Sequence, residues 1–251
     1  MDIRAHLIEH LKEDVTVISI VFFIMYFVNQ AGVSNEKTLY FTDMIFSIEG
    51  STVGLFQTFQ SPLITKVMLF VYLFLYPVLL LGAYYVLKRE NIHIEYAKSY
   101  IMAIVISAPI FYFIPVQVSG FYLPGIDPIL YSYSPITVDL FTSLGEFYAA
   151  LPSLHTGLAA LAAFHIRRYD RKLGLYAYFA AFLVMISTFY LGIHWMMDAV
   201  IGIILAYICY RSVLLSYDRK AVNILRYYQK NILEKIISQG VVDRVRRYLN
   251  E

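Results

Sequence analysis

Two histidines and one aspartate stand where the chain should carry no ionisable group. His194 and Asp198 fall at i, i+4 across the junction of two very apolar runs, in Ser187-Thr188-Phe189-Tyr190-Leu191-Gly192-Ile193-His194-Trp195-Met196-Met197-Asp198. An ionisable pair at such a place is a functional site by default. A carboxylate on one imidazole nitrogen fixes the tautomer, stabilises the imidazolium and leaves the other nitrogen for chemistry. A second segment, Leu151-Pro152-Ser153-Leu154-His155-Thr156-Gly157, opens another apolar run. Pro152 suits a first helical turn, and the free amides there, with the Ser153 hydroxyl, make a ready anion site. Histidine beside an anion site can act as acid or nucleophile, so the chemistry suggested is phosphoryl transfer through a phosphohistidine. Each residue taken alone has a plainer reading. His194 and Asp198 could satisfy a helix start, His155 could be a hydrogen-bonded packing residue, and Ser153 an ordinary helix-end serine.

The elements that must position these residues are membrane helices. Of the 251 residues 59% are hydrophobic and 15% charged, against a soluble average of about 25% charged. The net charge of +2 is too small to suggest nucleic acid. The single cysteine, Cys209, lies in an apolar run and excludes a disulfide framework or a thiolate metal cluster. The fold class expected is all-α, a polytopic six-helix transmembrane bundle. A hydrocarbon core about 30 Å thick needs roughly 20 mostly apolar residues. Six stretches meet this, approximately Val15 to Val33, Lys66 to Leu87, Ser99 to Val118, Phe147 to Ile166, Leu173 to Ile193 and Met196 to Leu215. The first is read as a retained helix rather than a removed signal peptide.

Lys88, Arg89 and Lys98 bracket the second connection, and Arg167, Arg168, Arg171 and Lys172 the fourth, whereas Ser119 to Glu146 holds no Lys or Arg. By the positive-inside rule both termini and these basic connections face the cytoplasm, which places the protein in a cell membrane with an extracytoplasmic or lumenal active side. The first outer connection, Ser34 to Ser61, carries an apolar pattern punctuated by Gly50 and Gly54 and suits a short interfacial helix. The third, Ser119 to Glu146, is rich in Tyr, Pro and Gly and suits an aromatic cover. Tyr190 and the loop tyrosines read most simply as interfacial belt residues. A catalytic membrane domain over 1–215 is then followed by a basic tail, 216–251, with an amphipathic helix from Ala221 to Gln239 that suits an anionic leaflet.

Under this topology His6, His10, His93 and His165 fall at the cytoplasmic side, and only His155 and His194 can meet. A helical hairpin of nearly equal legs returns them to one depth, and Asp198 joins them one turn later.

These residues also resemble a known family. Leu151-Pro152-Ser153-Leu154-His155 is similar to the second motif of the type 2 phosphatidic acid phosphatase superfamily, usually Pro-Ser-Gly-His. Ser187 through Asp198 is similar to its third motif, Ser-Arg, five residues, His, three residues and Asp. Pro-Ser-Leu-His, with Thr188 in place of Arg, resembles the branch of inositol phosphorylceramide synthases and related inositol phosphotransferases. The likeness covers roughly residues 40 to 215. It implies that His194 attacks phosphorus, Asp198 orients it, His155 protonates the leaving oxygen and Ser153 binds a phosphoryl oxygen, with no metal and no cofactor. The usual first motif, Lys, six residues, Arg-Pro, has no counterpart, since only Ile114-Pro115-Val116-Gln117 stands there. Thr188 and Lys66 are the residues left to contact phosphate in place of the absent cations, although snorkelling is the plainer role for Lys66.

The function expected is therefore that of a lipid-phosphate phosphatase or phosphotransferase. Its substrate would be a lipid or polyprenyl phosphate ester at the outer leaflet, with water or a polyol as acceptor. The alternative is a non-catalytic lipid-binding or lipid-translocating protein on the same fold. A vanadate-dependent oxidase, which shares the phosphate pocket, is disfavoured by the membrane setting.

Overall fold

A computed structural model describes residues 37–90, 92–135, 137 and 146–217, with helical residues 19, 20, 23, 24 and 26–28 before them. The chain divides into two compact units, 1–210 and 211–251, and the site lies in the first. The described residues form helices and short turns, and their only strand-like pairing is an isolated bridge between Val116 and Ala149. The first expected span and the tail helix fall largely or wholly outside the described residues.

We number the longer helices α1 Lys37–Glu49, α2 Pro62–Lys88, α3 His93–Phe113, α4 Leu154–Tyr169, α5 Arg171–Tyr190 and α6 Met196–Tyr217. Four of them, α2, α3, α5 and α6, are long and apolar enough to cross a membrane, and with this composition the chain is a membrane protein. Local chemistry sets their ends. Ser61 caps α2, its hydroxyl accepting from the Ile64 amide at 3.3 Å, with Pro62 next, where a missing N–H does no harm. Asp170 caps α5 by accepting from the amides of Lys172 and Leu173 at 2.7 and 2.8 Å. That cap turns α4 directly into α5, as the hairpin reading requires. A π turn at Val71–Leu75 interrupts α2.

The expected span Phe147 to Ile166 is corrected. Its first residues form a 3₁₀ turn, Glu146–Tyr148, and the helix begins only at Leu154. The Leu151–Pro152 peptide is cis, and Pro152 precedes the cap Ser153 instead of sitting in the first turn. What remains is a helix of 16 residues, about 24 Å long at about 1.5 Å per residue. It is buried along most of its length, including Leu158, Ala159, Leu161, Ala162 and Ala163, and α2, α3 and α5 all pack on it. A helix enclosed by protein need not match the bilayer in length or apolarity, so α4 is the axis of the bundle. Its small side chains allow close backbone approach, the usual basis of helix association where lipid is as apolar as leucine.

The first and third connections also gain definition. The first holds α1, of 13 residues, and a 3₁₀ turn at Thr52–Gln57. The third packs on the bundle through short turns at Ser119–Tyr122 and Ile129–Ser132, with Tyr131 buried between Phe121 and Phe147 at ring distances of 5.3 and 4.9 Å.

Candidate active site

The segment that carries His194 is the stop of α5. Leu191 donates to the Ser187 carbonyl at 2.9 Å, and Ile193 to the Thr188 carbonyl at 3.0 Å. Between them Gly192 takes φ +71, the left-handed conformation with which helices commonly end on glycine. A Cβ there would also run into the Asp127 carbonyl, so Gly192 is required twice over. The chain then reverses into α6, leaving His194 in the connection 191–195. Three neighbours brace this connection. Gly120 donates to the Gly192 carbonyl at 2.9 Å, Ser119 to the His194 carbonyl at 3.2 Å, and the Trp195 indole to the Gln117 carbonyl at 2.8 Å. The tyrosine-rich loop thus holds the site as well as covering it.

Asp198 folds back over the start of α6. Its Oδ2 accepts from the Trp195 amide at 2.8 Å and faces His194 Nδ1 at 3.4 Å. Its Oδ1 is buried with no hydrogen-bond partner among the described residues. A second carboxylate arrives from α1, where Glu49 accepts from the amides of Met196 at 3.1 Å and Met197 at 2.8 Å. Burial raises the Glu49 carboxyl above its ordinary value, the two amides oppose the rise and the nearby Asp198 adds to it. Burial lowers His194 to about 4, opposed by a backbone hydrogen bond to Ala150, so this imidazole is neutral at physiological pH.

The other half comes from the start of α4. Ser153, fully buried, accepts from the Thr156 amide at 3.3 Å and donates to Thr156 Oγ1 at 3.2 Å, and its own amide donates to the Asp198 carbonyl at 3.0 Å. The amides of Leu154 and His155 have no acceptor among the described residues. His155 Nδ1 faces His194 Nε2 at 3.4 Å, while His155 Nε2 meets the Tyr72 hydroxyl at 2.8 Å. The rings of Tyr72 and Tyr76 flank the imidazole with centroids at 4.8 and 5.0 Å. The approach of α4 to α6 rests on glycine, since a Cβ on Gly157 would stand 2.8 Å from the Gly202 carbonyl.

Two runs of protons satisfy the row, one outward from a protonated Asp198 to Tyr72 and one inward to an ionised Asp198, and only the second leaves His194 Nε2 bare. With Asp198 a carboxylate, His194 donates through Nδ1 and presents a lone pair on Nε2. His155 must then carry a proton on Nδ1, and its Nε2 accepts from Tyr72 when the ring is neutral and donates to it when the ring is the imidazolium. A bare ring nitrogen thus faces a ring N–H.

Of the residues expected at the site, His155, His194, Asp198 and Ser153 are brought together. Thr188 is buried and its hydroxyl donates to the Met185 carbonyl at 2.7 Å, so that proton is directed into its own helix. Lys66 lines a separate cavity of about 330 Å³ with Gln60, Ser61, Pro62, Thr65 and Tyr133. Tyr190 is corrected from a belt residue to a core one, being 2% exposed, with its hydroxyl 2.8 Å from Thr65 Oγ1. Tyr72, Glu49 and Gln57 were not foreseen. Gln57 clamps the loop by donating to the carbonyls of Asp127 and Tyr190 at 2.8 and 2.9 Å and accepting from the Asp127 amide. Only Glu49 left a signal, as an acid before a glycine in an otherwise apolar stretch.

Comparison with known proteins bears on the family. An uncharacterized protein of Methanocaldococcus jannaschii is 44% identical over 62 residues, which make up 24% of this chain and 25% of that protein. The chain thus aligns with about a quarter of the length of this curated relative. No solved structure matches. The PAP2 superfamily, whose members are phosphatases and phosphotransferases, matches residues 42–212. That match runs over more than half of the chain and takes in both histidine segments, and this protein belongs to the PAP2 superfamily.

Proposed function

We propose that the protein moves the phosphoryl group of a lipid or polyprenyl phosphate ester through a phosphohistidine on His194, as a phosphatase or phosphotransferase. The observation that carries this reading is the row Asp198–His194–His155, in which His194 Nε2 looks at His155 Nδ1. In the first step, with His155 as the imidazolium, the His194 Nε2 lone pair attacks phosphorus, the P–O ester bond breaks, and the leaving oxygen takes the His155 Nδ1 proton, which leaves that ring neutral with its proton on Nε2. Asp198 holds the imidazolium that results. In the second step His155 takes a proton from water or a polyol hydroxyl, whose oxygen attacks phosphorus as the P–N bond breaks. A separation of 3.4 Å leaves no room for a phosphorus atom between the rings, so substrate enters by parting them.

Non-bridging oxygens fit the open amides of Leu154 and His155, and the Ser153 hydroxyl once it turns from Thr156 Oγ1, an arrangement of helix-start dipoles that needs no metal. Thr188, whose proton is turned away, contributes at most an indirect contact. Lys66 is assigned the anionic headgroup of the substrate, in its cavity at the start of α2. The inositol-type branch resemblance tilts the acceptor toward a polyol. Lys88 and Arg89 close α2, and Arg167, Arg168, Arg171 and Lys172 surround the α4–α5 turn, at the bundle end opposite the histidines. The positive-inside rule then gives cytoplasmic termini, a cell-membrane location and an extracytoplasmic site.

The test is turnover of a panel of lipid phosphates and phosphodiesters by purified protein in chelator, with and without polyol. An acid-labile, alkali-stable phosphoprotein should be trapped, and His194→Asn should abolish both the trap and turnover. Phosphate release without polyol assigns a phosphatase, and polyol phosphorylation a transferase. Unchanged turnover in His194→Asn and His155→Asn overturns the mechanism. Lipid binding without turnover on the whole panel selects the non-catalytic alternative.

A further inference from the structure

Tyr72 lies on a transmembrane helix rather than in either histidine segment, yet it makes the shorter of the two contacts at the His155 ring, 2.8 Å against 3.4 Å. We infer that Tyr72 is a positioning residue that commits His155 to proton transfer through Nδ1 and keeps Nε2 out of the chemistry. The inference rests on the phosphoryl-transfer reading above.

A phenol hydroxyl both donates and accepts. When His155 is neutral with its proton on Nδ1, Tyr72 donates to Nε2. When His155 is the imidazolium, Nε2–H donates to the phenol oxygen. The anchor therefore survives both protonation states, and Nδ1 alone exchanges a proton with substrate. A carbonyl could hold only a protonated Nε2 and an ammonium only a bare one, so neither would hold both the resting neutral ring and the imidazolium. The reacting form is the imidazolium, reached when Nε2 takes up a proton and the Tyr72 hydroxyl turns from donor to acceptor. In the first half-reaction its Nδ1 proton passes to the ester oxygen as the P–O bond breaks, leaving a neutral ring whose Nε2–H still donates to Tyr72. In the second, Nδ1 recovers a proton from the acceptor hydroxyl. Tyr72 loses none.

The surroundings favour this single orientation. Tyr72 and Tyr76 flank the imidazole at 4.8 and 5.0 Å, so turning the ring over means breaking the hydrogen bond and passing between two packed rings. Tyr72 is 4% exposed, which keeps water from replacing its hydroxyl. It also lies inside the π turn of α2, a local widening that recurs at functional sites.

The experiment compares Tyr72→Phe with the unaltered protein on two substrates of the same phosphoryl group, one with an alkyl alcohol as leaving group and one with a nitrophenol. An alkoxide needs the proton of His155 and a nitrophenolate does not. Loss of aimed general-acid catalysis should lower kcat for the alkyl ester by about 10- to 100-fold, within the range that such a proton transfer supplies. KM and the nitrophenyl ester should stay within about twofold, since neither depends on that proton. Equal slowing of both esters marks a merely structural role and overturns the inference. So does no effect on either ester, and if His194→Asn is still inactive the phosphohistidine reading survives that failure. Activity in His194→Asn would instead remove the reading itself. If Tyr72→Phe does not fold, the ¹⁵N resonances that vanish in His155→Asn decide the matter in the unaltered protein. A bare Nε2 and a protonated Nδ1 are expected, and the opposite tautomer overturns the inference.

Discussion

The starts of α4 and α6 meet at the site, yet they are finished in opposite ways. At α6 two carboxylates occupy three amides, Asp198 on Trp195 and Glu49 on Met196 and Met197. At α4 a neutral serine occupies one, and the amides of Leu154 and His155 stay open. Both starts carry the same partial positive charge. At α6 that charge is already spent on side-chain anions, which in turn orient His194. At α4 it is left for an anion that the chain does not supply. On the function proposed above, identical backbone ends become a holder of the nucleophile and a holder of phosphate, according to the charge of the cap. The open amides of α4 are then what would attract phosphate to a site without the first-motif cations.

The sharpest break of this contrast is Asp198→Asn, which keeps the shape of the α6 cap and removes its charge. Turnover should fall by about 10³- to 10⁴-fold, the scale seen when the carboxylate behind a catalytic histidine becomes an amide, while phosphate inhibition changes little. A fall of less than about tenfold would mean that Asp198 is only a cap.

The acid limb of kcat/KM tests the burial of the nucleophile. Protonation of His194 removes its lone pair, and its pKa is lowered to about 4. Activity should therefore persist as pH falls through the ordinary histidine value of about 6.5 and fail only towards the lower value. Between the two values the unfolded chain binds the proton more readily than the folded one. The stability contributed by neutral His194 is accordingly full above about 6.5 and declines as pH falls. An acid limb at the ordinary value contradicts this picture.

At the α4 start, Ser153→Ala should weaken inhibition by inorganic phosphate by about tenfold and lower stability by about 1 kcal/mol through the lost cap. An unchanged inhibition constant would move phosphate away from this helix end. The smallest effect is expected from Glu49→Gln, which keeps an acceptor for one of the Met196 and Met197 amides and leaves the other without its carboxylate oxygen. Thermal unfolding should register a loss of up to about 1 kcal/mol, with turnover within about threefold. A larger fall in turnover would place Glu49 in the chemistry.

Ser153 followed only from its place beside His155, whereas His155, His194 and Asp198, which the structure brings together, could be picked out because an ionisable side chain in an apolar run is expensive and therefore conspicuous. The bounds of α2, α3, α5 and α6 were legible within several residues for the same reason, since lipid-facing helices must be apolar along their length. The start of α4 was misjudged because a helix wrapped in protein escapes that requirement, and the apolar residues before Leu154 belong to turns. Tyr72 was hidden among 23 tyrosines, as nothing in its neighbours tells a hydroxyl facing a histidine from one facing a headgroup. Tyr190 was misassigned by the same ambiguity. Glu49 acts over a separation of about 150 residues, and no local pattern reports such a contact.

The glycine contact between α4 and α6 has a consequence for the making of the protein. Gly157 lies half a turn after His155, and Gly202 one turn after Asp198, so the two helices touch just below the reacting groups. Membrane helices enter the bilayer in the order of their synthesis. A chain that has inserted only as far as α5 holds His155 but neither Gly202 nor Asp198. On the phosphoryl-transfer chemistry proposed above, such a nascent chain has an open α4 start and no His194–Asp198 pair, and it is chemically silent. Reactivity would then arise in a single event, when the last of these helices sets its glycine against the axis of the bundle.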